Sequence, residues 1–178
     1  MPRRSAGLLL WRRGPEGIEV LIGHMGGPFW SKKDDGAWSI PKGEYEAGED
    51  PLTHALREFA EEMGAPPPEG PDVALGEFRQ SGTVVTVFAR EGDFDASAIR
   101  SNHFTVEWPP RSGRFRSFPE VDRAEWMTLD AARPKLVKGQ VPALDALAAA
   151  QLAEGDMASA SEGLGFRGII GMIAAARA

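Results

Sequence analysis

The chain has 178 residues, 42% of them hydrophobic, which is enough for one domain with a real core. No apolar run reaches the about 18 residues of a membrane-spanning helix, and a net charge of −6 argues against a general nucleic-acid binder, whose phosphate contacts need a basic surface. A small anionic substrate needs only local positive charge, and the absence of cysteine excludes disulfides and thiolate chemistry, which suits the cytoplasm.

In chain order, MPRRSAGLLLWRR carries basic residues and an apolar run too short for the roughly 7–15 residues of a signal-peptide core. It reads as a first strand, Ala6–Arg12, followed by a second, Ile18–His24, across a turn containing Gly14 and Pro15. The loop His24–Gly36 holds Phe29 and Trp30, which pack locally or stack a base, and Lys32 and Lys33, which are surface charges or phosphate contacts. A short strand, Ala37–Ile40, leads into Pro41-Lys42-Gly43.

The next segment is the most informative. Asp50 can cap a helix whose first position is Pro51, and Gly64 followed by Ala65 and three prolines can stop it. Between them, Leu52, Leu56, Phe59 and Met63 form an apolar stripe. Glu58 and Glu62 share another face with Glu61 at its margin, and His54 lies on that acidic side as an exposed residue. An acidic helix face is most often only a solvated surface. Three carboxylates this close repel one another, however, and a hard divalent cation among them would offset that repulsion.

Pro66–Pro71 is a rigid loop, and Val73–Gln80 and Thr83–Arg90 form a hairpin turning at Ser81-Gly82. Glu91–Asn102 is a loop with a helical turn at Ala96–Ile99, and His103–Trp108 is a strand. Pro109–Pro119 is irregular and carries Arg111, Arg114 and Arg116. Arg123–Leu129 is the last strand, a short helix from Leu129 is limited by Pro134, and Pro142–Ala153 is an Ala/Leu-rich helix. Residues 155–178 shift to Gly, Ala, Ser and Met; they read as an apolar helix docking on the domain or on a second subunit, or as a disordered extension, so a homodimer stays open.

The segment Gly43–Ala65 resembles the Nudix box, G-x5-E-x7-R-E-U-x-E-E-x-G-U, with Gly43, Glu49, Arg57, Glu58, Glu61, Glu62 and Gly64 on its fixed positions. Phe59 is an aromatic at the first bulky position, and Ala65 is small for the last. The resemblance implies an α/β fold, a mixed β-sheet sandwiched between helices, over residues 1–154. It implies a Mg²⁺-dependent (or Mn²⁺-dependent) pyrophosphohydrolase acting on a small nucleotide substrate, with metal ligands Gly43, Glu58, Glu61 and Glu62. It also pairs Arg57, which can reach Glu61 along the helix, with Glu49.

A further carboxylate usually completes such a site, and Glu77, Glu91, Glu107, Glu120 and Glu125 are candidates. Glu120 lies six residues before Trp126, a spacing that resembles Nudix dinucleoside polyphosphate hydrolases and RNA pyrophosphohydrolases, and is taken as the fourth. Glu61, Glu62 and Glu120 are the catalytic candidates, with Glu61 or Glu120 favoured as base. Trp38-Ser39-Ile40-Pro41-Lys42-Gly43 resembles the W-x-x-P-K-G lead-in of diadenosine tetraphosphate hydrolases. It makes Trp38 and Lys42, together with Arg79, substrate-binding candidates. The alternatives are a (d)NTP or nucleotide-sugar pyrophosphatase, or a nucleotide sensor of the same fold that does not hydrolyse.

Overall fold

The computed structural model describes residues 2–175, with side chains over residues 2–161. The chain divides into two units, Met1–Leu144 and Asp145–Ala178. The first is built on β1 (Arg3–Gly14), whose Ser5–Trp11 stretch is buried throughout. Such an unbroken apolar strand belongs in the middle of a sheet covered on both faces. β1 pairs in parallel with β6 (Thr83–Glu91) on one side. On the other it pairs antiparallel with β2 (Gly17–Met25) over its second half and with β4 (Lys42–Glu44) over its first.

β3 (Trp38–Ser39) and β9 (Val121–Thr128) flank β2, and β5 (Asp72–Gln80) is the edge strand on β6. The β5–β6 turn fits its sequence: Ser81 at φ 43° and Gly82 at φ 76° take the positive dihedrals that a tight two-residue hairpin demands.

α1 (Pro51–Met63) has the predicted ends. Asp50 accepts from the Thr53 N–H at 2.9 Å, and Gly64, at φ 87°, donates its N–H to Ala60 O at 2.8 Å. Its inner face, Ala55, Phe59 and Met63, packs with Ala6, Leu8 and Leu10 of β1 and with Leu21, Val121 and Ala124. Leu9 and Trp11, on the alternate face of β1, are buried as well.

Several elements depart from the sequence reading. Phe115–Pro119, expected to be irregular, is a strand, β8, paired antiparallel with β7 (His103–Glu107) in a separate two-stranded sheet. Its residues are largely exposed, so no apolar alternation marks it. α2 (Leu129–Lys135) runs one residue past Pro134. α3 (Val141–Ala175) does not stop at Ala153, and in the second unit Leu152 and Met157 are exposed. The expected docking of residues 155–178 depends largely on side chains outside the described residues. Among the described residues no helix is long and apolar enough to cross a membrane.

Candidate active site

A cavity of about 370 Å³ opens where α1, β4 and the β8–β9 junction meet, and Lys42, Gly43, Glu58, Glu61 and Glu120 line it. Gly43 is held by its strand: β4 pairs with β1 at Ala6 opposite Gly43, and Leu8 N–H donates to Pro41 O at 3.1 Å. A β-carbon on Gly43 would lie 2.1 Å from the Glu58 carboxyl carbon, so only glycine lets the carboxylate approach the main chain there.

Glu120 reaches the cavity through main-chain bonds. Asn102 N–H donates to Glu61 O at 2.9 Å, and Asn102 O accepts from Glu120 N–H at 2.8 Å. Glu120 O in turn accepts from Gly26 N–H at 2.8 Å, and Val121 N–H donates to Ser101 Oγ at 3.0 Å. Residues 100–102, whose sequence carries no signal beyond that of a loop, thus tie the last turn of α1 to the strand junction; Arg100 N–H also donates to Met63 O at 3.1 Å. Glu77, Glu107 and Glu125 lie elsewhere, against Arg4, Gly113 N–H and Arg123 respectively, and Glu91 does not line the cavity.

The electrostatics show how closely the acids crowd. The Glu62 carboxyl is pushed up to about 8, chiefly by burial and further by Glu120 and Glu58, against the opposing charge and main-chain hydrogen bond of Lys42. Glu58 is raised too, first by burial and then by Glu61, with His54 opposing. No group of three or more His, Asp or Glu among the described residues converges into a ready-made metal cage. The chemistry of the donor set, hard carboxylate oxygens around a polar cavity, fits a divalent cation. Glu58, Glu61 and Glu120 line the cavity with Gly43, and Glu62 interacts with Glu58 and Glu120, so these are the side chains that could hold one.

His54 is a correction, because it is buried rather than exposed. Its ring lies 5.8 Å from that of Tyr45. Arg57 Nη2 donates to Nδ1 at 2.5 Å, which puts the proton of a neutral ring on Nε2. Nε2 is 3.2 Å from Glu58 Oε1, in ion-pair range but without the alignment of a hydrogen bond. Glu49 Oε2 sits 3.5 Å from Nδ1 and 3.8 Å from Arg57 Nη2, so the Arg57–Glu49 pair is present with His54 inserted into it. Only the burial partners, Tyr45 and the Glu49 loop, separate this from a surface histidine, and a helical wheel does not contain them.

Trp38 does not line the cavity. It is 1% exposed, donates its indole N–H to Asp34 Oδ1 at 2.9 Å, and meets His24 edge-on and the Arg123 guanidinium. This packing anchors the lead-in strand and leaves no face for a substrate. Arg79 is exposed and lines a neighbouring cavity that shares Gln80 with the acidic one. Phe29 packs edge-on against Trp108, and Lys33 lies over Trp30.

A family model described as NUDIX domain matches residues 1–147. No curated protein matches the chain. Among solved structures, the chain is similar to a Caenorhabditis elegans Ap4A hydrolase binary complex (19% identity, 84% of this chain and 98% of that one, TM-score 0.54). It is similar to the NUDIX domain of Shewanella oneidensis NrtR complexed with ADP ribose (16%, 85% and 89%, TM-score 0.57). A mutT/nudix family protein from Listeria innocua is a third (15%, 88% and 99%, TM-score 0.58).

Proposed function

The chain belongs to the Nudix hydrolase family, and from that premise we propose that it is a Mg²⁺-dependent pyrophosphohydrolase that cleaves a phosphoanhydride bond in a nucleoside diphosphate linked to another moiety. The observation that carries the reading is the acidic cavity itself, where Glu58 and Glu61 from α1, Glu120 from the β8–β9 junction and Gly43 from β4 share one small space. Bound there, a divalent cation supplies charge neutralisation at the phosphates and lowers the pKa of water. Glu58, Glu61, Glu62 and Glu120 would hold the ion, and Lys42, which lines the cavity and interacts with Glu62, presents a point charge to a phosphate. Whichever of Glu61 and Glu120 is less engaged accepts the proton from the attacking water, which cleaves the anhydride in line.

Dinucleoside polyphosphates are the favoured substrate class. Support comes from the Trp38–Gly43 lead-in, with Trp38 acting as an anchor, from the Glu120–Trp126 spacing, and from Arg79 beside the cavity. Residues 1–154 are taken as the catalytic domain and 155–178 as its extension.

The test is a hydrolysis screen with and without Mg²⁺, using dinucleoside polyphosphates, (d)NTPs including oxidised forms, and nucleotide sugars, with products resolved by chromatography. Unequal nucleotide products from a dinucleoside polyphosphate support the reading. Preference for a (d)NTP or a nucleotide sugar moves the substrate and keeps the chemistry. Nucleotide binding without turnover of anything replaces the enzyme with a sensor.

A further inference from the structure

Next to the acidic cavity lies a second, of about 490 Å³, a size that accepts a nucleotide. Its walls divide chemically: Met25 and Trp30 are apolar, and Arg79 and Lys138 are cationic. Among the described residues neither cation is in an ion pair. In a chain of net charge −6, two uncompensated cations beside an aromatic ring form a local field for an anion. The two cavities meet at Gln80, which lines both.

The orientation of Gln80 follows from a chain of bonds that starts at the main chain. Ile40 N–H, which can only donate, gives its proton to Gln140 Oε1 at 2.8 Å. That fixes the amide of Gln140, which is fully buried. Its NH₂ group then donates to Ser39 Oγ at 3.0 Å and to Gln80 Oε1 at 2.8 Å. With the oxygen of Gln80 taken, its NH₂ is the group left for the cavities. Gly139 makes the arrangement possible, since a β-carbon there would lie 2.3 Å from Arg79 O and 2.9 Å from Gln80 Cα. The Lys138–Gln140 turn can therefore press against the end of β5 and bring Lys138 beside Arg79.

We propose that this second cavity seats a nucleoside phosphate arm of the substrate: Gln80 donates to the phosphate that passes between the two cavities, Arg79 and Lys138 neutralise the arm's charge, and Trp30 stacks its base. Gln140 is a positioning residue that keeps the NH₂ of Gln80 facing outward. The proposal rests on the pyrophosphohydrolase reading for the bond that is cleaved, while its geometry concerns binding alone.

The probe is α,β-methylene ADP, which has no hydrolysable bridge, titrated calorimetrically into the full chain with Mg²⁺. Trp30→Ala and Arg79→Ala each weaken binding about tenfold, the scale of one lost stacking or charged contact. Gln80→Glu is the sharper variant. It preserves an acceptor for Gln140, so a purely structural glutamine would be replaced without loss, yet it turns the outward donor into an anionic oxygen. It weakens the probe by about tenfold or more, and raises KM for a hydrolysed substrate by a similar factor with kcat nearly kept. Phe29→Ala, in the loop packing against Trp108, changes neither. Wild-type affinity in Trp30→Ala, Arg79→Ala and Gln80→Glu overturns the proposal, as does failure of the wild-type chain to bind millimolar probe. Loss of binding in these variants of a chain that hydrolyses nothing in the substrate screen would leave this site standing and remove the enzymatic reading.

Discussion

The two walls of the acidic cavity are held by different means. The helix wall is written into consecutive residues: Asp50 caps it, Gly64 ends it, and Phe59 and Met63 seat it on β1. The strand wall, which carries Glu120, has no such local code. It is positioned by main-chain bonds with Asn102 and Gly26 and by the Ser101 hydroxyl, and Gly26 and Asn102 lie far apart in the chain. Both walls carry carboxylates, but the cap of the helix lies a turn or more from its acids, whereas the bonds that hold the second wall are made by Glu120 itself and its neighbour Val121.

The largest expected effect tests whether the walls act on one ion. Glu62→Gln lowers kcat/KM roughly a thousandfold, as loss of several kcal/mol of electrostatic stabilisation implies. The same change has the opposite effect on stability. With its folded pKa raised to about 8 from the ordinary 4.5, Glu62 favours the fold only while protonated. That contribution is complete below about 4.5 and is lost as pH rises through about 8. In metal-free buffer Glu62→Gln therefore raises Tm above pH 8, and the gap to wild type closes toward pH 4.5. Equal Tm shifts at both ends of that range would mean that burial of the charge is not what burdens Glu62.

Glu120→Gln sharpens the comparison from the strand wall. It lowers kcat/KM about a hundredfold, while Glu125→Gln, outside the cavity, changes it less than about twofold. Similar losses in both variants would mean that the β8–β9 junction contributes surface charge rather than a ligand.

Ser101→Ala removes the acceptor for Val121 N–H and leaves that donor without its partner, at a cost of about 1 kcal/mol in stability. Because the junction carries Glu120, kcat falls a few-fold as well. A stability loss with unchanged kcat would uncouple the loop from the site.

The smallest effect belongs to the cap of the helix wall. Asp50→Ala lowers Tm and leaves kcat unchanged. The Asp50 carboxyl is held below its ordinary value by hydrogen bonds from the Thr53 side chain and main chain. Its contribution is complete above the ordinary carboxylate range and is lost as pH falls through the depressed value, so the Tm gap closes in acid.

Legibility in the sequence followed the same division. The helix, its caps and its acids could be read because each depends on residues within a turn or two. Glu120 could be placed by its spacing to Trp126 and by resemblance, but not the Asn102 bridge, since main-chain bonds leave no mark on residue type. His54 was missed because a polar residue enters a core only when distant partners, here Tyr45 and Glu49, close over it. Trp38 misled for the reverse reason: resemblance to the W-x-x-P-K-G lead-in makes it a substrate-binding candidate, yet Asp34, His24 and Arg123 occupy it. β8 escaped because its exposed, Arg-containing sequence lacks a period-2 pattern.

The most direct test of the shared site is Mn²⁺ binding, followed by calorimetry, in the wild type, Glu62→Gln, Glu120→Gln and Glu77→Gln. One carboxylate cluster built from both walls predicts that Glu62→Gln and Glu120→Gln each weaken the ion by at least about tenfold while Glu77→Gln matches wild type. Unchanged affinity in Glu120→Gln would contradict it, and the ion site would belong to the helix alone.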